Sequence, residues 1–261
     1  MNYPGRMPRA ETVPGFTQTD IYRGGGEINP MRCMTIEDDI SFRGIEDTLS
    51  ADRFGTYLGW AGGDRNKAVA LYTLNAMLSE SLHTPLHMLE VALRNRIHHV
   101  MSHAHGDTWF DMPEHQVNPI QADMIAKAHK DLVEQGKADT PARIVAALTF
   151  GFWTAMLGKE YENLWQTTLK DIARREDGKG LRRKDFTKSL GAIRTLRNRL
   201  AHHETVLHWD LRKHYANIMQ MTGWLSPVAA DWCKAYCRFE GLYPEDGIKL
   251  IFNATQQGQA D

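Results

Sequence analysis

Residues 196–204 read Leu-Arg-Asn-Arg-Leu-Ala-His-His-Glu, and Arg197, Asn198 and His202 among them are residue types that can handle a phosphate group. A guanidinium offers a planar fork of donors to anionic oxygens, and an imidazole takes up and releases a proton near neutral pH. On a helix turning about 100° per residue, with Arg197 at zero, Phe186, Leu190, Ile193, Leu196 and Leu200 fall between about −100° and +20°. That arc predicts the buried stripe. Arg197 lies inside it, and so does Glu204 two turns later; charges there must be paired or used, because desolvating either alone is expensive. Asn198 and His202 sit on the flank, four apart and able to touch. Arg197 and His202 diverge by about 140°, so a matching pair from a second helix or subunit would reach one phosphate more easily. The structural alternative is an Arg197–Glu204 salt bridge, with His202 and His203 as helix-end residues favoured by the dipole.

Other clusters carry chemistry too. Arg174, Arg175, Lys179, Arg182, Arg183 and Lys184 crowd around Gly178 and Gly180, a density that suits either a phosphate-facing loop or a solvated polar one. Leu93-Arg94-Asn95-Arg96-Ile97-His98-His99 echoes the 196–203 string, and Glu90 and Arg94, four apart, predict an ion pair. His98, His99, His103 and His105 raise a metal hydrolase as a rival, but no His-Glu-x-x-His string occurs and Gly106 marks them as helix-end residues. Cys233 and Cys237 are half a metal site at most and read more simply as packed thiols. With Cys33 they make an odd set, too sparse for a disulfide framework and suited to a reducing cytosol. Phe150, Phe152, Trp153 and Trp165 could receive bases, although aromatics at helical spacing belong more often to a core.

The elements that must position these groups are helical. Five-fold proline and glycine punctuation predicts a flexible arm over residues 1–35, containing Pro4, Pro8, Pro14, Pro30 and Gly24-Gly25-Gly26. Helices are expected over 36–60, 64–81 with Asp64 as N-cap, and 84–103 with Thr84 as cap and Pro85 at the first helical position. Further helices are expected over 119–135, 140–157, 160–175, 184–205, 210–225 and 226–239, where Thr140-Pro141 and Ser226-Pro227 repeat the cap-then-proline start. Alternating strand patterns are missing, so the fold class is an all-α helical bundle over 36–241, with a C-terminal tail over 242–261. The net charge of −1 argues against a globally basic nucleic-acid coat. Ordinary hydropathy, with neither a membrane-length apolar run nor a signal peptide, predicts a cytoplasmic protein with no membrane partner.

Arg197-Asn198-x-x-x-His202 resembles the signature of the higher-eukaryote-and-prokaryote nucleotide-binding (HEPN) superfamily: Arg, a polar residue, then His after four to six residues. The fuller string to Glu204, with Phe150-Gly151-Phe152-Trp153, Leu164-Trp165, Ala92-Leu93-Arg94-Asn95 and Gly106-Asp107-Thr108-Trp109 ahead of it, is similar to the abortive-infection (Abi-like) branch. The resemblance covers roughly residues 53–224. It implies an HEPN-like helical fold, a homodimer whose signature helices face each other, and metal-independent endoribonuclease activity in phage defence or toxin–antitoxin settings. RNA is the implied partner, with an antitoxin or a phage-derived trigger as a regulator, and no cofactor is implied. Relatives silenced by nucleotide transfer carry a Tyr where Glu204 stands, so the resemblance does not extend to that regulation. On this reading Arg197, Asn198 and His202 are catalytic, His203, Glu204, Glu90 and Arg94 support them, and the basic loop binds RNA. The competing reading is a non-catalytic RNA- or nucleotide-binding module, or an antitoxin-like partner.

Overall fold

The computed structural model describes residues 45–116 and 118–251. The arm expected over 1–35, the first residues of the helix expected over 36–60, Cys33, and the end of the C-terminal tail lie outside the described residues. Every regular element among the described residues is helical, as the all-α expectation requires.

The chain enters through α1 (Ile45–Leu49) and α2 (Ala51–Trp60), separated at Ser50, whose hydroxyl accepts from the Arg53 amide. Gly62 and Gly63, both at positive φ, turn the chain into α3 (Arg65–His105), and the Asp64 carboxylate caps it by accepting from Lys67 N at 3.1 Å. Here the structure corrects the sequence. The two helices expected over 64–81 and 84–103 are one helix of 41 residues with Pro85 in its interior. A proline lacks the amide that would bond the carbonyl four residues back, so Pro85 strands the Ser81 C=O. Cys237 supplies the missing donor: its Sγ lies 3.4 Å from Ser81 O. The packed thiol thus satisfies the carbonyl that the proline leaves without its amide.

Beyond α3 come α4 (Pro119–Glu134), α5 (Pro141–Ala147), α6 (Phe150–Ala155), α7 (Glu162–Thr167), α8 (Arg183–Ala201), α9 (Leu211–Leu225), α10 (Pro227–Tyr236) and α11 (Phe239–Leu242). The helix expected over 140–157 breaks at Leu148, whose carbonyl accepts from the Trp153 indole at 3.3 Å. The one expected over 160–175 breaks into α7 between two 3₁₀ turns. The carbonyls of Asp171 and Ile172, at its end, accept from Arg96 of α3 at 2.9 and 3.0 Å. α3 is the spine, touching α2, α5, α6, α9, α10 and α11. One apolar cluster runs from Phe54 to Phe239. After α11 the chain folds back, and Ile251 N donates to Trp60 O at 3.0 Å.

Candidate functional site

α8 carries six basic side chains and one acidic one, in a chain whose formal charge is −1. Its apolar stripe is the expected one: Phe186, Leu190, Ile193, Leu196 and Leu200 are all buried. The helix is shorter than the expected 184–205, because it stops at Ala201. His203 takes φ 55, its amide bonds Leu200 O at 3.1 Å, and the Glu204 amide bonds Arg199 O at 2.9 Å. This paired closure is the Schellman motif, normally built on glycine. The chain leaving it is pinned by a residue that sequence reasoning missed. Asn75 of α3, buried on the Ala68–Leu78–Leu82 face, accepts from Val206 N at 2.9 Å and from the Thr205 hydroxyl at 3.4 Å. A lone amide on an apolar stripe was the available signal, since buried polar groups almost always bond something.

The ending rearranges the expected charge pairs. Glu204 lies past the helix, so the wheel that put it beside Arg197 does not apply, and its carboxylate binds Arg199 at 3.2 Å instead. Arg199 also lies over the Trp209 ring, 4.9 Å from its centroid. Arg197 faces Glu90 of α3 at 4.0 Å, with 42% of its side chain exposed. Glu90 therefore pairs across helices, and the Glu90–Arg94 pair expected within α3 does not form. Arg94 keeps its Nε buried without a hydrogen-bond partner, one turn from Glu90. Asn198 and His202 are linked only through the backbone, His202 N to Asn198 O at 3.0 Å. The side chains of Asn198, His202 and His203 are exposed and make no hydrogen bond among the described residues. The arrangement is thus one guanidinium steadied by a carboxylate, beside a free carboxamide and two free imidazoles on a helix end.

The family model of Abi-like proteins matches residues 51–208. The chain belongs to the Abi-like family. No curated protein and no solved structure matches it. The Abi-like region opens on α2, contains Asn75, Glu90, Arg94 and the whole of α8, and closes at His208, three residues before α9.

Within this Abi-like region the basic loop stands apart from the signature. Arg174 pairs with Asp171, Arg175 and Arg182 with Asp185, and Lys179 with Asp177. Arg183 is buried, donating to Glu162 at 2.5 Å and to Leu157 O at 3.0 Å, so it ties α8 to the start of α7 and to the chain before it rather than facing solvent. Of the six, Lys184 alone makes no salt bridge or hydrogen bond among the described residues, although its charge acts on Glu162. Arg174, Arg182 and Lys184, with Lys170, edge a cleft of about 580 Å³ over Trp165 and Leu181. Lys184 lies in the first turn of α8 and His202 caps its end, which separates them by about 27 Å at ~1.5 Å per residue. One phosphate cannot touch both.

Other sequence candidates are absorbed by packing. Phe150, Phe152, Trp153 and Trp165 are all buried in the core, Trp165 at the floor of that cleft. His98 Nδ1 accepts from the Trp109 indole at 3.1 Å, and burial pushes its pKa down. His105 packs on the His115 ring at 4.4 Å. Among the described residues no three His, Cys, Asp or Glu side chains converge as a metal site would require. None of the described helices is long and apolar enough to cross a membrane.

Proposed function

We propose that this chain is a metal-independent endoribonuclease of the HEPN type, acting in abortive infection, with Arg197, Asn198 and His202 as its catalytic set. The observation that carries the reading is the free surface at the end of α8. Asn198, His202 and His203 are exposed and uncommitted, beside an Arg197 held by Glu90, while Arg199 and Arg183 are spoken for. RNA brings its own nucleophile. His202 takes the proton of a 2′-hydroxyl as its oxygen attacks phosphorus, and Arg197 meets the charge that builds on the phosphate oxygens. The bond from phosphorus to the 5′-oxygen breaks, that oxygen leaves protonated, and a 2′,3′-cyclic phosphate and a 5′-hydroxyl remain.

Attacking and leaving oxygens lie on opposite sides of phosphorus, so a second imidazole is needed as acid. A homodimer that brings two α8 ends together supplies it, as His202 of the second copy. A restraining antitoxin or a phage-derived trigger would act by covering or freeing that end.

The test is incubation of total cellular RNA in EDTA with wild type, His202→Ala and Arg197→Ala, with product ends mapped. Cutting by wild type alone, leaving cyclic phosphate ends, supports the proposal. Intact RNA in every condition, including after removal of co-purifying partners, returns the chain to a non-catalytic RNA- or nucleotide-binding module. Light scattering of the active species checks the dimer.

A further inference from the structure

The outer face of α8 forms one line. Lys184, Lys188, Gly191, Thr195, Asn198 and His202 follow each other at spacings of three and four residues, and all are exposed. They fall within about 40° of a straight track along the helix, directly opposite its buried stripe. Arg194, also exposed, stands about 80° to one side.

The charges on α8 divide cleanly. Arg183, Arg197 and Arg199 are each held by a carboxylate, from Glu162, Glu90 and Glu204. Lys184, Lys188 and Arg194 make no ion pair among the described residues. The helix's acid, Asp185, lies off the track and is bound by Arg182 and Arg175. The middle of the track is open as well. A Cβ built on Gly191 would meet nothing within 4 Å, so packing among the described residues does not explain a glycine there. Glycine is among the poorest residues for a helix interior.

We infer that this face is a binding track for single-stranded RNA: Lys184, Lys188 and Arg194 hold phosphates upstream or downstream and deliver the chain across Gly191 and Thr195 to His202. The inference rests on the ribonuclease reading for its ligand and extends it to substrate length. A track of about 27 Å takes roughly eight nucleotides at the ~3.4 Å spacing of a stacked strand, and fewer when extended. Long single strands should therefore bind and be cut in preference to fragments too short to reach from His202 to Lys184.

The experiment uses the full chain and a fluorescein-labelled, mixed-sequence 20-mer RNA. Affinity is measured by anisotropy across a salt series on the His202→Ala background, where cleavage cannot interfere. Adding Lys184→Gln, Lys188→Gln and Arg194→Gln together is expected to weaken binding about tenfold or more. It should also flatten the salt dependence by about two, since each phosphate contact on a single strand contributes roughly 0.7 to the slope. Gly191→Leu, which adds bulk without charge, should weaken binding and leave the slope alone. Lys127→Gln, Lys130→Gln and Lys137→Gln, around α4, remove equal charge and should change nothing.

Unchanged affinity and slope in the α8 triple variant overturn the track. Failure of the 20-mer to bind also overturns it, and if wild type still cuts total RNA, the ribonuclease reading survives alone. Charge-dependent binding on α8 by a wild type that cuts nothing leaves the track standing and removes the ribonuclease.

Discussion

Glu90 of α3 and Arg197 of α8 meet at 4.0 Å, an ion pair between the two helices that carry the similar Leu-Arg-Asn-Arg strings. Both side chains keep contact with solvent, so the pair contributes under about 1 kcal/mol to stability. What it offers is aim: the carboxylate, 4.0 Å away, biases which way a long, half-exposed guanidinium points. Glu90→Gln should therefore shift the unfolding free energy by less than about 1 kcal/mol and, if the proposed ribonuclease activity holds, lower kcat on RNA about tenfold with KM little changed. Denaturant unfolding together with steady-state cleavage checks this. A large stability loss with unchanged kcat would make Glu90 structural.

His203 holds a left-handed conformation that L side chains adopt at a cost of roughly 1–2 kcal/mol, and it does so to close α8. His203→Gly should stabilise the fold by about 1 kcal/mol, raising Tm by roughly 2–4 °C for a chain of this size. If the imidazole serves the site, cleavage falls as Tm rises. A lower Tm would mean that the entropy glycine adds to the unfolded chain outweighs the relieved strain.

Cys237 answers for Pro85. Burial pushes the Cys237 thiol up, which keeps it protonated and able to donate to Ser81 O. Cys237→Ala should destabilise by about 0.5–1.5 kcal/mol, and by less in a Pro85→Ala background, where the restored amide reaches the same carbonyl. A double-mutant cycle by chemical denaturation should give a coupling of about 0.5 kcal/mol or more; equal losses in both backgrounds would break the link.

His129 bridges two carboxylates, Nδ1 to Asp139 at 2.6 Å and Nε2 to Asp111 at 2.9 Å. Both nitrogens can donate only in the imidazolium. Burial works against that charge, but the hydrogen bonds and the two carboxylates prevail and raise its pKa. A raised histidine stabilises fully below its unfolded pKa of about 6.5 and loses that contribution as pH climbs through the folded value. His129→Ala should thus destabilise most near pH 6 and progressively less toward pH 9, read by thermal melts in matched buffers. A penalty independent of pH would show that packing against Phe110, and not charge, carries the bridge.

What the sequence by itself determined was short-range. The buried stripe of α8 and the caps at Asp64 and Ser226 were legible, because a helix period and a cap depend on residues a few positions apart. The strings that mark the Abi-like family were legible for the same reason. Tertiary structure decided the rest. That Pro85 sits inside a helix rather than beginning one is a matter of tertiary packing, in which a thiol 156 positions away takes up the Ser81 carbonyl. Where α8 stops was settled by His203 and by the Asn75 amide from α3, and that stop moved Glu204 from Arg197 to Arg199. Charges choose partners by where packing delivers them, and a spacing of four residues only permits a pair. Glu90 had Arg94 within reach on its own helix, yet the packing of the bundle gave it Arg197.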